Sequence, residues 1–167
     1  MKILRFNDDR IGVLKNDNMV VDVSDTVSSR KAKGPQRVME EIIEDWRKYR
    51  RRFEKLIADQ TGVPVDSVQL RCPLPQPSKC IAAFSNYIDR PGRTADNFPH
   101  EYFYKSPDLV GPGEAVELRD IPAAIVYQPE AEFAYVIGKT AKNVPQSKAK
   151  DYVFGYVPFF DISTRGL

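Results

Sequence analysis

The distribution of proline along the chain constrains its fold more than any other feature. Within residues 1–60 the only proline is Pro35, whereas the other twelve of the 13 prolines lie in residues 61–167. Because proline interrupts helices and the interiors of sheets, a proline-poor segment can carry a long helix, and a proline-dense segment is more typical of short strands joined by turns. The sequence therefore predicts two domains, 1–70 and 71–167, with the boundary in the proline-rich stretch 61–78.

The first segment predicts a small antiparallel meander followed by one long amphipathic helix. Short runs at 2–6, 11–14 and 19–23 read as strands, and Asn- and Asp-rich turns separate them. Gly34-Pro35 is a typical helix start, and Gly62 is the expected stop. The apolar stripe between them recurs at spacings of three and four and consists of Val38, Ile42, Trp46, Tyr49, Phe53, Leu56 and Ile57.

The second segment predicts mostly strands. The candidates are residues 80–84, 102–105, 115–118, 121–127, 130–137 and 152–160, and residues 145–150 fit a short helical turn. The expected fold class is α+β, a small βα N-terminal domain followed by a mostly β domain.

Composition excludes several functional classes. The chain is 42% hydrophobic and 29% charged with a formal net charge of +2, which is typical of a globular protein and gives no basis for a nucleic-acid or membrane partner. The basic run 47–52 reads as a solvated helix face, because Tyr49 within it belongs to the apolar stripe. No apolar stretch is long enough to cross a membrane, and the charged start Met1–Phe6 does not resemble a signal peptide, so we expect a cytoplasmic protein.

Cysteine and histidine are scarce. Cys72 and Cys80 lack the spacing of a zinc site, and in a reducing compartment we expect them to stay free thiols. His100 is the only histidine, which excludes a histidine-rich metal centre.

Three carboxylates suggest a metal site. On a strand, residues i and i+2 face the same way, so Glu130 and Glu132 share one side and Phe133 lies on the other. Such a pair is usually only a solvent-facing side, but the apolar Val136 shares its face, and Asp161 stands at the end of the last predicted strand. Three oxygen ligands would suit a hard cation and leave positions for water and substrate.

From Lys79 onward the sequence resembles the first half of the catalytic domain of the fumarylacetoacetate hydrolase family. The matching segments follow the family's order and approximate spacing: Phe84-Ser85-Asn86-Tyr87, residues 103–107, Val110-Gly111-Pro112-Gly113, Glu130-Ala131-Glu132, residues 136–144, residues 151–156 and residues 161–165. The first sixty or so residues also resemble the family's variable N-terminal domain. The resemblance implies a mixed β-sandwich roll in the second domain.

The resemblance also implies a metal site and a reaction class. Glu130, Glu132 and Asp161 match the ligands of one divalent cation, usually Mg²⁺, with Mn²⁺ or Ca²⁺ as alternatives. Family members act on small 2-oxo or β-diketo acids through metal-stabilised enolate chemistry, most often hydrolytic carbon–carbon cleavage. The positions that match the substrate side are Asn86, Tyr87, Lys105 and Arg165.

One departure from the family pattern leaves the reaction open. Many hydrolytic members carry a histidine just after the Asn-Tyr element, where this chain has Arg90. Arginine cannot act as a general base, although it can bind a substrate carboxylate through two hydrogen bonds. The catalytic residue is therefore unassigned, with Arg90 and His100 as candidates, and a decarboxylase, hydratase or isomerase is the alternative to a hydrolase.

The family's domain continues beyond the last residue of this chain. We therefore expect the C-terminal half of the catalytic domain to be missing from these 167 residues. If the protein consists of these residues alone, we expect a non-catalytic subunit instead. The resemblance further implies a homodimer.

Overall fold

The computed structural model describes residues 1–27, 33–118 and 126–166. Its strands are β1 (Lys2–Phe6), β2 (Arg10–Lys15), β3 (Met19–Asp22), β4 (Val63–Pro64), β5 (Leu70–Arg71), β6 (Cys80–Ala83), β7 (Tyr102–Lys105), β8 (Val126–Ile137) and β9 (Val153–Arg165). The α-helices are α1 (Pro35–Glu44) and α2 (Trp46–Asp59), and 3₁₀ turns cover Ser24–Thr26, Val65–Ser67, Ala95–Asn97 and Gln146–Tyr152. The α+β class predicted from the sequence is confirmed.

The N-terminal sheet is antiparallel with the strand order β4-β3-β2-β1-β5. Strands β1, β2 and β3 form the predicted meander. The turns between them place Asn7, Asp9, Asn16 and Asp17 at positive φ, a conformation that Asn and Asp tolerate better than other non-glycine residues.

The prediction of a single helix was wrong, because the chain breaks at Asp45. The Asp45 N–H still donates to Glu41 O and ends α1, but its backbone leaves the helical region at φ −103° and ψ 30°. Aspartate is unfavourable in a helix interior, because its side chain can hydrogen-bond nearby backbone groups in non-helical conformations, and it is therefore common at helix ends. The position of the break agrees with this preference. The apolar stripe continues across it and joins the core.

Gly62 is not the stop of α2, which already ends at Asp59. Its φ is +83°, and a Cβ on it would lie 2.6 Å from the Val20 carbonyl oxygen. Glycine is therefore required there by the close approach of the loop to β3.

The hydrophobic core lies between the helices and one face of β2 and β3. Its buried members are Ile11, Val13, Val21, Val23, Val27, Val38, Met39, Ile42, Tyr49 and Phe53. All of them come from the proline-poor segment, so this unit carries the buried core of the described chain.

The proline-rich stretch 61–78 does more than connect two domains. β4 pairs with β3 and β5 pairs with β1, so the N-terminal sheet extends to Arg71. Arg71 Nη1 in turn lies 2.9 Å from Glu114 Oε1, and Glu114 Oε2 accepts the Gly111 N–H at 2.6 Å. The Gly111 N–H and then Arg71 hold the pKa of Glu114 below its ordinary value. The division between residues 70 and 71 itself stays a prediction.

The second segment contains two antiparallel ribbons, β6–β7 and β8–β9. They confirm the predicted strands at 80–84, 102–105, 130–137 and 152–160, although β8 begins earlier and β9 ends later than expected. The predicted strand at 115–118 was wrong, since those residues form no strand. An apolar run becomes a strand only where a neighbouring strand supplies hydrogen-bond partners for its backbone. The predicted run 121–127 falls largely outside the described residues.

The β8–β9 ribbon contacts the N-terminal helices at the end that contains the C-terminus of β8 and the N-terminus of β9. The register shifts between Val136 and Ile137, and Phe154 lies edge-to-face on Trp46 of α2, with ring centroids 5.3 Å apart. Across residues 1–27, 33–118 and 126–166, no helix combines the length and hydropathy that crossing a membrane requires.

Candidate metal and substrate site

The register of β8 and β9 places three carboxylates on one face of the ribbon. Glu130 lies directly opposite Asp161, and Glu132 follows on the same side opposite Phe159. Directly opposite residues of an antiparallel pair share a face, with Cβ atoms about 4.5–5.5 Å apart. We call Glu130, Glu132 and Asp161 the carboxylate face. Asp161 was expected at a strand end but lies within β9, which continues to Arg165 because pairing with β8 extends to Val126.

The opposite side of the ribbon is aromatic and exposed. Phe133, Tyr135, Tyr156 and Phe160 alternate with the inward-facing residues, and we call them the aromatic face. Their side chains are largely open to solvent, with Tyr135 62% and Phe160 72% exposed. The rings of Phe133 and Tyr156 stack at a centroid distance of 5.2 Å. On the acidic side Asp161 is buried and the two glutamates are partly exposed, whereas the aromatic side is open to solvent. This is the reverse of a ribbon that covers a core with its apolar side.

Asp161 is the most buried of the three carboxylates, at 5% exposure. Lys105 Nζ, from β7, lies 2.5 Å from its Oδ1 and also donates to the Ile162 carbonyl at 3.2 Å. Oδ1 is therefore paired with the Lys105 ammonium, which replaces part of the solvation that the buried carboxylate has lost. A divalent cation bound by Asp161 would take the place of this ammonium.

The two glutamates have different partners. Arg165 Nη2 donates to Glu130 Oε1 at 2.9 Å. The Tyr87 hydroxyl donates to Glu132 Oε2 at 2.9 Å, and this hydrogen bond is the main cause of the raised pKa of Tyr87, followed by burial. The loop after β6, strand β7 and the end of β9 thus each supply one partner to the carboxylate face.

The carboxylate face fits a hard divalent cation in its chemistry and its register. All three donors are carboxylate oxygens, which Mg²⁺, Mn²⁺ and Ca²⁺ prefer. The side chains are turned toward their separate partners, however, and in the described part of the chain no three His, Cys, Asp or Glu side chains are gathered around one point. Ion binding at this face therefore requires side-chain rotation away from Lys105 and Arg165.

The other predicted site residues divide into two groups. Tyr87, Lys105 and Arg165 contact the carboxylate face as described above. Asn86, Arg90 and His100 are exposed, and in the described structure none of them forms a hydrogen bond or ion pair with a member of that face. Asn86 and Arg90 belong to the loop after β6, and His100 lies two residues before β7.

Sequence reasoning missed Arg93, which fixes the loop that carries Arg90. Its guanidinium donates to both the carbonyl and the hydroxyl of Ser85 and lies over the Phe98 ring at 5.4 Å. The Arg90 carbonyl accepts the Arg93 N–H at 3.2 Å. An arginine in a polar loop carries no sequence signal for such an anchor, because its partners are set by the folded loop.

Cys80 also lies closer to the site than sequence reasoning suggested. It pairs with Lys105 across the β6–β7 ribbon. Burial, and after it the charge of Asp161, raises the pKa of the Cys80 thiol. The thiol is therefore held in its neutral form beside the buried ion pair.

Comparison with known proteins finds relatives of the second segment and of the chain as a whole. Residues 79–167 match the model of the fumarylacetoacetate (FAA) hydrolase C-terminal domain. A maleylpyruvate hydrolase from Aquipseudomonas alcaligenes is 32% identical over 182 residues, which cover 99% of this chain and 62% of that protein. An oxaloacetate tautomerase, YisK from Bacillus subtilis, is 37% identical over 110 residues, 62% of this chain and 36% of the relative.

A solved structure extends the similarity to the fold. The maleylpyruvate hydrolase from Sphingobium sp. SYK-6, in complex with manganese(II) and pyruvate, superposes with a TM-score of 0.84 at 32% identity, over 100% of this chain and 60% of that one. The chain thus spans about 60% of the length of these hydrolases. The match of the family model over more than half of the sequence, together with this fold, shows that the chain belongs to the fumarylacetoacetate hydrolase family.

Proposed function

We propose that this chain supplies the metal-binding part of an enzyme that acts on a small 2-oxo or β-diketo acid, with hydrolytic carbon–carbon cleavage as the first expectation for its reaction. The observation that carries the proposal is the register that sets Glu130 opposite Asp161 with Glu132 on the same face. Glu130, Glu132 and Asp161 would hold one divalent cation. Mg²⁺ is the first expectation. The alternatives are Ca²⁺ and Mn²⁺, the ion present in the Sphingobium hydrolase complex.

The cationic neighbours of the carboxylate face are suited to the substrate. A divalent cation bound by oxygen ligands is a Lewis acid that stabilises negative charge on a 2-oxo acid. Lys105 and Arg165 lie beside the same face, and an ammonium or a guanidinium can hold a substrate carboxylate. Asn86 and Arg90 lie on the loop that Arg93 fixes, from which Arg90 can bind a second acidic group.

The alternative is a decarboxylase, hydratase or isomerase on the same fold. It is favoured by Arg90, which stands where many hydrolytic members carry histidine, and by the exposed His100, which forms no hydrogen bond or ion pair with the three carboxylates in the described structure. An oxaloacetate tautomerase among the relatives adds support. Release of pyruvate from an acylpyruvate, compared with enol–keto conversion or CO₂ release from oxaloacetate, separates the reactions.

We also propose partners and a location for the complete protein. We propose that a further polypeptide segment, the C-terminal half of the catalytic domain, packs on the aromatic face. Two observations support it: about two fifths of the length of the relatives is not matched by this chain, and the aromatic face is exposed. A homodimer of the completed chain remains part of the proposal, as does a cytoplasmic location, which the free thiols Cys72 and Cys80 support.

Metal titration of the purified protein tests the function. We expect Mn²⁺ or Mg²⁺ binding by calorimetry, and Glu132→Gln or Asp161→Asn should weaken it by about 100-fold or more, since each removes a ligand. Asp66→Asn, in an exposed 3₁₀ turn of the N-terminal unit, is the matched control and should leave the affinity unchanged. Equal affinity in all four proteins would refute the metal site and favour a non-catalytic subunit.

A further inference from the structure

The partner of Glu132 differs in kind from the partners of the other two carboxylates. Lys105 and Arg165 are cations, and each neutralises the carboxylate it contacts. Tyr87 is neutral and donates one hydrogen bond, of 2.9 Å, to Glu132 Oε2. Glu132 is therefore held by a partner that brings no positive charge.

A carboxylate that is held by a neutral hydrogen-bond donor is oriented and still able to act as a metal ligand. The bond to Oε2 restricts rotation of the Glu132 carboxylate while Oε1 stays available. Unlike Asp161 and Glu130, Glu132 does not have to give up a cationic partner before it binds an ion. Partners of this kind orient the ligands of metal sites, and their loss typically lowers metal affinity by about 10–100-fold.

The same bond limits what Tyr87 can do for a substrate. A tyrosine hydroxyl has a single hydrogen to donate. In this structure that hydrogen is used on Glu132, so the hydroxyl has none left for a carbonyl or carboxylate oxygen of the substrate. Tyr87 is also anchored from a different element, because it lies in the loop after β6 whereas Glu132 lies on β8.

We propose that Tyr87 is a positioning residue that sets the orientation of Glu132 for the cation, and not a substrate-binding residue as the family resemblance implies. The inference rests on the proposed function, since it assigns a role toward the same metal site. It makes Tyr87 the link between the loop after β6 and the carboxylate face.

A double-mutant cycle on the complete protein tests the proposal. Mn²⁺ affinity is measured by calorimetry for the wild type, Tyr87→Phe, Glu132→Gln and the double variant, and pyruvate affinity is measured at saturating Mn²⁺. We expect Tyr87→Phe to weaken Mn²⁺ binding about 10-fold. The same change should have no further effect once Glu132 is glutamine, and it should leave pyruvate affinity unchanged.

The control is Tyr135→Phe, which removes a hydroxyl from the aromatic face of the same strand as Glu132 and should change neither affinity. Tyr87 is half-exposed, so we expect the phenylalanine variant to fold, and its thermal unfolding checks this. Unchanged Mn²⁺ affinity with weaker pyruvate binding would overturn the inference and return Tyr87 to the substrate side. Absence of Mn²⁺ binding in the wild type would instead overturn the proposed function on which the inference rests.

Discussion

The two glycines on either side of Pro112 have different backbone requirements. Gly113 has a φ of +76°, a turn conformation that glycine adopts without steric strain. Gly111 is needed for a different reason, since a Cβ on it would lie 2.4 Å from the Cys72 backbone nitrogen. The turn was predictable from local residue types, whereas the approach to Cys72 depends on how the two parts of the chain pack.

We expect Gly111→Ala to destabilise the protein by about 1–3 kcal/mol, because the added methyl group must displace backbone at Cys72. Gly155→Ala is the matched control: a Cβ at this position meets nothing within 4 Å, so its effect should stay within about 0.5 kcal/mol. Chemical denaturation of both variants measures the difference, and equal stabilities would show that the 111–114 turn can move away from Cys72.

The candidate site was predictable to the extent that strand periodicity fixes it. The period of two placed Glu130 and Glu132 on one side, and the structure agrees. The pairing of Glu130 with Asp161 needed the β8–β9 register, and the contacts of Lys105 and Tyr87 needed the packing of separate segments. Local sequence carries no record of such long-range contacts.

At the scale of elements, α1 and α2 are connected by a side-chain hydrogen bond across their break. The Tyr49 hydroxyl on α2 donates to Glu41 Oε1 on α1 at 2.5 Å. Burial, and then Glu41, raises the pKa of Tyr49 from 10.0 to about 12. Sequence periodicity correctly placed Tyr49 on the buried stripe but treated the two helices as one, because the break leaves the stripe intact.

This hydrogen bond predicts a pH dependence of stability at alkaline pH. Since the pKa of Tyr49 is higher in the folded state, its contribution is fully present below about pH 10 and is lost as the pH rises toward about 12. We expect the free energy of unfolding of the wild type to fall more steeply over this range than that of Tyr49→Phe. Urea unfolding at a series of pH values measures both slopes, with Tyr135→Phe, an exposed tyrosine, retaining the wild-type slope.

At the scale of the whole molecule, the two parts of the chain differ in how they bury apolar residues. The buried core lies in the N-terminal unit, and the aromatic face of the β8–β9 ribbon is left open. This chain spans about 60% of the length of the hydrolases it matches. The family resemblance predicted an incomplete domain, but only the structure showed which side of the ribbon is uncovered.

The effect of Phe160→Ala should depend on whether the rest of the domain is present. In residues 1–167 alone, Phe160 is 72% exposed, and we expect its truncation to change stability by less than about 0.5 kcal/mol. In a protein that also carries the proposed C-terminal half, burial of this ring should make the same change cost about 3 kcal/mol.

Denaturation of the 167-residue chain and of the longer protein measures the difference in the free energy of unfolding. Val63→Thr in the short strand β4 is the control, and its effect on that free energy should be similar in the two proteins. Equal small effects of Phe160→Ala in the two proteins would show that the aromatic face stays uncovered.

The register of β8 with β9 also restricts how the length of this ribbon can vary in evolution. Side chains alternate between the two faces, so inserting or deleting one residue between Gly155 and Asp161 would carry the aspartate to the aromatic side. An insertion would bring Phe160 opposite Glu130, and a deletion would bring Ile162 there. A change of two residues restores the parity, although it moves the opposing position along the strand. Homologous chains that keep the acidic cluster should therefore tolerate even-numbered length differences in this stretch, and odd-numbered ones only where a second bulge compensates.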